Sequence, residues 1–509
     1  MSPKIKWLAW GAAIILLVYT RFINLSWGLP FPFHPDERNI ANAIQGLNCE
    51  ISNCFNPHFF AYGQLPIYLG YVLIFISRLV TKISGAVRFD EAIMALRFIS
   101  ATASLATALV MLNLLQHLTG SRIKSGMTMA SMLIVIFSPA LIQFAHFGTT
   151  ESLLMLFFTW LVYLCLKLDA KRDSKDVDSI YISVGVAMGL AIATKVSSIL
   201  FIFLPLWTVT LGHIQSSRFD LAQSRYERFW QWLNEMVFIT FVAGATAIIF
   251  SPYNLISWKE FTSSIDYESM VATGKVLVFY TRSFTDSVPI LFQFQRIFPY
   301  SLGWPVFVMF LVGFVFLPWK INFNILRLAF LIYFLPSAFV FTKWTRFMAP
   351  IFPLMIIIAV LWISRLPKRL GYLACLVAII PGIMFLKIYT TEEVRLQASQ
   401  WMVKNIPSNS VILQEMANVV DLPIFLEAWN VEHRTFKNIS FNFYELDSDK
   451  KLQQELLVHL NKADYIIIPS RRIFKNHSEE MYPLLNKYYE DLFSGKLGFK
   501  KVAEFKILD

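Results

Sequence analysis

Leu65-Pro66-Ile67-Tyr68-Leu69-Gly70-Tyr71-Val72-Leu73-Ile74-Phe75-Ile76-Ser77-Arg78-Leu79-Val80 is apolar enough to cross a bilayer, and whether it does so decides the topology of the chain. Around it, spanning-length apolar runs recur at roughly 7–25, 95–117, 126–146, 151–168, 180–194, 196–214, 234–251, 302–318, 325–341, 348–364 and 370–389, about eleven in all. With a cytoplasmic N-terminus, the inner loops hold Lys4 and Lys6, then Arg122 and Lys124, then Lys167, Lys171, Arg172 and Lys175. Arg218, Arg225 and Arg228 follow, then Lys320 and Arg327, and finally Arg365, Lys368 and Arg369. Every inner loop carries at least two basic residues, which is how short loops orient a membrane protein. A span at 65–80 would send all the later basic loops outward. The segment is therefore expected as an outer juxtamembrane or re-entrant helix, buried by protein.

Composition agrees with a polytopic integral membrane protein. The chain has 509 residues, 56% hydrophobic and 16% charged, against about 25% charged in soluble domains; its mean hydropathy is +0.53. No small-residue cleavage site follows Trp7–Leu25, so that run reads as a retained span and not a signal peptide. The net charge of +11 belongs to loop orientation, and no nucleic-acid partner is expected. An odd number of spans leaves the C-terminus outside, and from Thr390 the composition becomes that of a soluble domain. Glu392–Asn405 reads as an amphipathic helix stopped by Asn405-Ile406-Pro407, and Asp449–Leu460 as another charged helix. Ser410–Leu413 and Asp464–Ile468 read as buried strands. The expected architecture is an all-α membrane bundle over 1–389 followed by a small extracytoplasmic α/β domain over 390–509.

The outer side of this topology gathers charges that a bilayer rim tolerates poorly. Asp36, Glu37 and Arg38 follow the first span in Phe33-His34-Pro35-Asp36-Glu37-Arg38. Arg97 begins the second span, and Glu151 opens the fourth in Gly148-Thr149-Thr150-Glu151-Ser152, where a carboxylate also suits the helix dipole. Lys195, Lys343 and Arg346 run against the orientation pattern that the inner loops obey. An anion at headgroup level accounts for them, since Arg grips phosphate oxygens bidentately and Lys as a point charge; headgroup snorkelling is the plainer account for Lys195 and Lys343. Carboxylates beside cations at a membrane face suit displacement of a lipid-phosphate-linked group. One carboxylate deprotonates the nucleophile, and cations stabilise the departing phosphate.

The chain resembles the GT-C glycosyltransferases, specifically bacterial relatives of protein O-mannosyltransferases (glycosyltransferase family 39-type) and of aminoarabinose transferases. The resemblance rests on His34-Pro35-Asp36-Glu37, on Arg97 to Ser100, on Ser138-Pro139 followed by Glu151, on Gly189-Leu190-Ala191 with Thr194-Lys195, and on Arg346-Phe347 with Pro350 and Pro353. It implies transfer of a sugar from a polyprenyl-phosphate donor to a protein, lipid or glycan acceptor, on the outer face of a plasma (inner) membrane. Asp36 would be general base, with Glu37 and Glu151 as supporting acids; Arg38, Arg97, Lys195, Lys343 and Arg346 would hold the donor's phosphate. Where relatives carry His or Lys before a Pro-Pro-Leu run, this chain has Gln64-Leu65-Pro66, so no phosphate contact is assigned to Gln64. Some such enzymes use a divalent ion and others do not; His34, Asp36, Glu37 and Glu151 are the residues that would hold one here. A transporter or flippase of lipid-linked saccharides is the competing reading, but it would favour midplane sites and internal repeats. Cys49 and Cys54 share a polar loop, a placement that admits a disulfide in an oxidising compartment, whereas Cys165 and Cys375 fall in apolar runs.

Overall fold

The computed structural model describes residues 3–47, 54–120, 125–170, 177–216, 225–418, 420–425 and 435–507. Cys49 lies outside them, and with it the pairing proposed for Cys54. The chain divides into two compact units. One comprises Met1–Ser26, Asp36–Lys275 and Val288–Leu386; the other comprises Trp27–Pro35, Val276–Ser287 and Lys387–Asp509. A single cut between 389 and 390 misses the two inserts that the second unit draws from earlier in the chain.

The first unit is helical: α1 (Pro3–Phe22), α2 (Pro35–Gln45), α3 (Leu65–Thr81), α4 (Phe89–Thr119), α5 (Ser125–Ile136), α6 (Pro139–Ala145), α7 (Glu151–Ala170), α8 (Val177–Thr194), α9 (Phe203–Ser216) and α10 (Arg225–Phe250) lead. The short α11 (Tyr253–Ile256), α12 (Trp258–Thr273) and α13 (Phe298–Leu302) follow, then α14 (Trp304–Phe316), α15 (Ile321–Phe339), α16 (Phe352–Ile363) and α17 (Lys368–Thr390). Among the described residues, eight stretches are long and apolar enough to cross a membrane: Phe89–Thr119, Glu151–Ala170, Val177–Thr194, Val196–Ile214, Tyr226–Phe250, Ile321–Phe339, Thr345–Ile363 and Lys368–Thr390. Gln293–Leu302 and Trp304–Phe316 form a further apolar pair bent by 116°, and Trp7–Phe22 is a shorter apolar helix. The run 126–146, expected as one span, is broken between α5 and α6, because Pro139 has no N–H to continue the ladder. The protein is thus a multi-pass membrane protein.

Two buried arginines repair helix ends inside this bundle. Arg21, fully buried, donates to the Val135 and Ile136 carbonyls at the end of α5, and to Thr20 and Ser104. Arg327 does the same for α14, donating to the carbonyls of Phe314, Leu317 and Pro318. These carbonyls have no partner within their helix, and a cation there also suits the negative end of the dipole. Arg327, expected as an orienting loop cation, is therefore a structural cap, 5% exposed. Close helix approach comes from small residues. A Cβ on Gly185 would lie 2.7 Å from the Val242 Cβ, and one on Gly189 would lie 2.5 Å from the Ala243 carbonyl oxygen, so the pair lets α8 and α10 touch backbone to backbone.

The helix α3 runs antiparallel to the leading turns of α4. A Cβ on Gly70 would meet the side chains of Ile44 and Leu96, and Arg78 pairs with Glu91 at 2.5 Å. At its start, the Gly63 N–H donates to the Thr194 carbonyl and the Gln64 N–H to Ser251 Oγ, at the ends of α8 and α10. From there it follows the turns of α4 that precede Leu96, with Ile67 and Ile74 packed inward and Val72, Phe75, Ile76, Leu79 and Val80 exposed. The helix thus packs one side on α2 and α4 and leaves large apolar side chains exposed on the other.

The second unit is built on three parallel strands, β1 (Val411–Glu415), β2 (Lys437–Phe441) and β3 (Tyr465–Ile467), in the order β2-β1-β3. Val411 pairs with Lys437, and Ile412 with Tyr465. The helices are α18 (Val394–Asn405), α19 (Lys450–Lys462) and α20 (Pro483–Phe493). Sequence reading anticipated β1 and β3 but not β2, whose residues are mostly exposed. Alternation along β1 sends Leu413 into a core with Phe441, Phe443, Ile473 and Leu485, and Ile412 into one with Phe33, Met402, Ile406 and Ile424. The insert Trp27–Pro35 belongs to this unit through Phe33, whose ring lies 3.8 Å beneath the Arg395 guanidinium. Arg282 secures the insert Val276–Ser287 by donating to the Tyr444 carbonyl and to Glu445. At the end of β1 the buried Glu415 accepts a 2.7 Å hydrogen bond from Tyr489 and faces Arg472 at 3.7 Å. Burial nevertheless pushes its carboxyl up to about 7.

Candidate active site

Asp36 and Glu37 occupy the first turn of α2, directly after the helix-opening Pro35, where the unpaired N–H groups favour negative charge. Consecutive helical residues point in different directions, and the two acids have different partners. Glu37, 2% exposed, forms a two-pronged ion pair with Arg97, with Nε and one terminal nitrogen each 2.8 Å from a carboxylate oxygen. The Gly148 N–H donates to the same carboxylate at 2.5 Å, and Arg97 spends a further donor on the Leu25 carbonyl at 2.7 Å. Only glycine fits at 148, since a Cβ there would sit 2.6 Å from the Leu96 Cβ. Glu37 and Arg97 thus knit α2, α4, the end of α1 and the turn before α7. The expectation of Arg97 as a phosphate ligand is corrected on this point: at 1% exposure its guanidinium is committed to Glu37 and a carbonyl. Glu37, likewise, supports its neighbour through the fold.

Asp36 instead ion-pairs with Arg346, with side chains 15% and 31% exposed. Arg346 sits in the helical turn Thr345–Ile351 between α15 and α16, near the rings of Trp344 and Phe347. Its Nε is buried with no hydrogen-bond partner among the described residues. Lys195, in the break between α8 and the turn Val196–Ile202, places its ammonium 5.2 Å from the ring centres of both Tyr62 and Phe347. Burial lowers the Lys195 ammonium below the usual lysine range, and the carboxylates of Glu151 and Glu268 oppose that shift. Glu151, 2% exposed, is the first residue of α7 and accepts from Thr150 Oγ1 at 3.3 Å.

Asp36, Arg346, Lys195 and Glu151 therefore form one chain of contacts and charge interactions at the end of the bundle where α8, α10 and α15 finish. Glu268, on the polar α12, is a member that sequence reading missed; nothing in its local pattern sets it apart from other exposed acids. Lys343 is brought to the same turn as Arg346, but it is 4% exposed and folds back to donate to the Phe341 carbonyl at 3.0 Å. Arg38 is half-buried on α2 and makes no ion pair among the described residues. Gln64 is structural, its amide bridging Tyr68, Tyr253 and Asn254.

Glu37 and Asp36 are each committed to an arginine, and among the described residues no three His, Cys, Asp or Glu side chains converge as ligands.

Residues 72–256 match the family described as dolichyl-phosphate-mannose-protein mannosyltransferase, a stretch that holds Arg97, Glu151 and Lys195. No curated protein sequence matches the chain. The structure is similar to that of ArnT from Cupriavidus metallidurans bound to undecaprenyl phosphate, at 12% identity and a TM-score of 0.52, over 92% of this chain and 90% of that one. The apo state of the same protein aligns at 13% identity and 0.50, over 82% and 84%. The apo oligosaccharyltransferase of Archaeoglobus fulgidus aligns at 11% and 0.50, over 96% of this chain and 73% of that one. These likenesses establish a shared fold.

Proposed function

We propose that this chain, which carries the GT-C glycosyltransferase fold, is a membrane enzyme that transfers a sugar from a polyprenyl-phosphate donor to an acceptor hydroxyl. The observation that carries the reading is the meeting of Asp36, Glu151, Arg346 and Lys195 at one end of the bundle, acids and cations within one constellation. In the reaction, Asp36 takes the acceptor's proton as the acceptor oxygen forms a bond to the anomeric carbon. The bond from that carbon to the phosphate oxygen breaks, and polyprenyl phosphate leaves with its added charge held by Arg346 and Lys195. Glu151 holds the Lys195 ammonium in place. Undecaprenyl phosphate bound to the ArnT relative supports a lipid-phosphate donor. The basic inner loops support a cytoplasmic N-terminus, with this site and the second unit on the extracytoplasmic face of a bacterial plasma membrane.

The test supplies proteoliposomes of the full chain with polyprenyl-phosphate sugars and candidate acceptors. Glycosylated acceptor appearing with an equal amount of free polyprenyl phosphate supports the reading. Movement of intact donor between leaflets without its cleavage would instead identify a transporter.

A further inference from the structure

We infer that Asp36 and the donor's phosphate compete for one guanidinium, that of Arg346, so that donor binding is what frees the base; this rests on the donor-phosphate reading above. Arg346 is paired with Asp36. A carboxylate in that pairing is a poor base, because the adjacent cation favours its charged form and lowers its affinity for a proton. Arg346 is nonetheless incompletely satisfied, since its Nε is buried with no hydrogen-bond partner among the described residues. One residue along, the ring of Phe347 carries the Lys195 ammonium, for which charge interactions with Glu151 and Glu268 are present but no hydrogen bond among the described residues. A phosphate placed between Lys195 and Arg346 offers the guanidinium two oxygens in fork geometry and the ammonium a counterion. Because the Lys195 ammonium holds the same phosphate, the guanidinium turns from the carboxylate to the ligand. Asp36 then remains in the first turn of α2, no longer neutralised, with its proton affinity raised for the acceptor.

The consequence is an order of events. Donor engages first, and only the donor complex holds a competent base, which protects the chain from deprotonating an acceptor, or water, in an empty site. Release of polyprenyl phosphate lets Arg346 return to Asp36 and resets the site.

The competition has a sign that separates it from simple preorganisation. Binding of undecaprenyl phosphate alone to the full chain in nanodiscs is the measurement, since no sugar need be known. Asp36→Asn removes the competitor, so affinity should rise about tenfold, within the range of coupling between contacting charges. Arg346→Gln should weaken binding by about tenfold, and adding Asp36→Asn to it should then change affinity by less than about twofold. If Asp36→Asn leaves affinity unchanged or lowers it while Arg346→Gln still weakens binding, Asp36 merely positions the arginine and the competition is wrong. If Arg346→Gln binds as well as the unmodified chain, the phosphate is held elsewhere, and the donor-phosphate reading falls with the competition. Arg346→Lys serves where the Gln variant is unstable, and the Asp36→Asn arm stands by itself.

Discussion

Arg97→Met distinguishes a strut from a ligand. The Arg97–Glu37 pair is 1% and 2% exposed, so deleting the guanidinium strands a buried carboxylate. Removing one partner of a buried ion pair costs about 3–5 kcal/mol, most of it from the charge left behind. The Leu25 carbonyl also loses its 2.7 Å donor, at about 1–3 kcal/mol if nothing replaces it. Neutralising the survivor should recover much of this, so Arg97→Met with Glu37→Gln is expected to be more stable than Arg97→Met alone by about 2 kcal/mol. Unfolding of the detergent-solubilised chain, followed by tryptophan fluorescence, measures both. The folded fraction of Arg97→Met should bind undecaprenyl phosphate within about twofold of the unmodified chain, because the guanidinium never reaches the ligand. A variant as stable as the original that loses phosphate binding about tenfold would refute the strut and restore Arg97 to the donor site.

Lys195→Met should weaken undecaprenyl phosphate binding by about tenfold and Lys195→Arg by less, since the charge between Tyr62 and Phe347 is what the phosphate requires; equal affinities in calorimetry would remove Lys195 from the site. Arg327→Met should destabilise the bundle by about 3 kcal/mol in the same unfolding assay, by orphaning the carbonyls that end α14. Glu415 has its carboxyl pushed up to about 7 from an ordinary value of 4.5, so the folded unit holds its proton more tightly than the unfolded chain. Stability of the second unit should therefore fall as pH rises from about 4.5 to 7 and level off above, by on the order of 3 kcal/mol. Glu415→Gln should flatten that part of the profile, and an unchanged slope would show that another group titrates.

Much of the membrane architecture was legible because the relevant physics is local. Length, hydropathy and loop charge are properties of contiguous stretches, and they located most of the long apolar helices. The break at Ser138-Pro139 was visible as a motif but was read as part of a continuous span. The spacing of Gly185 and Gly189 was equally available, and it marks the close contact of α8 with α10. Pairing was not legible. Asp36 and Glu37 are neighbours with different fates because one turn of α2 aims them at Arg346 and Arg97, residues 310 and 60 positions away. The same holds for Arg327, where a basic residue at a loop edge proved to cap a helix end. In the second unit, β2 escaped notice because its side chains are mainly exposed and carry no apolar run. The inserts Trp27–Pro35 and Val276–Ser287 join that unit through side chains such as Phe33 and Arg282, contacts that no linear boundary reveals.

The most direct measurement is sugar transfer by Asp36→Asn in proteoliposomes, set beside binding of undecaprenyl phosphate by the same preparation. Asparagine keeps the size of the side chain and removes its basicity. Transfer should fall by at least about a hundredfold, the scale of general-base catalysis, while lipid-phosphate binding persists. Transfer at the original rate by a variant that binds the lipid normally would contradict the assignment of Asp36 as the base.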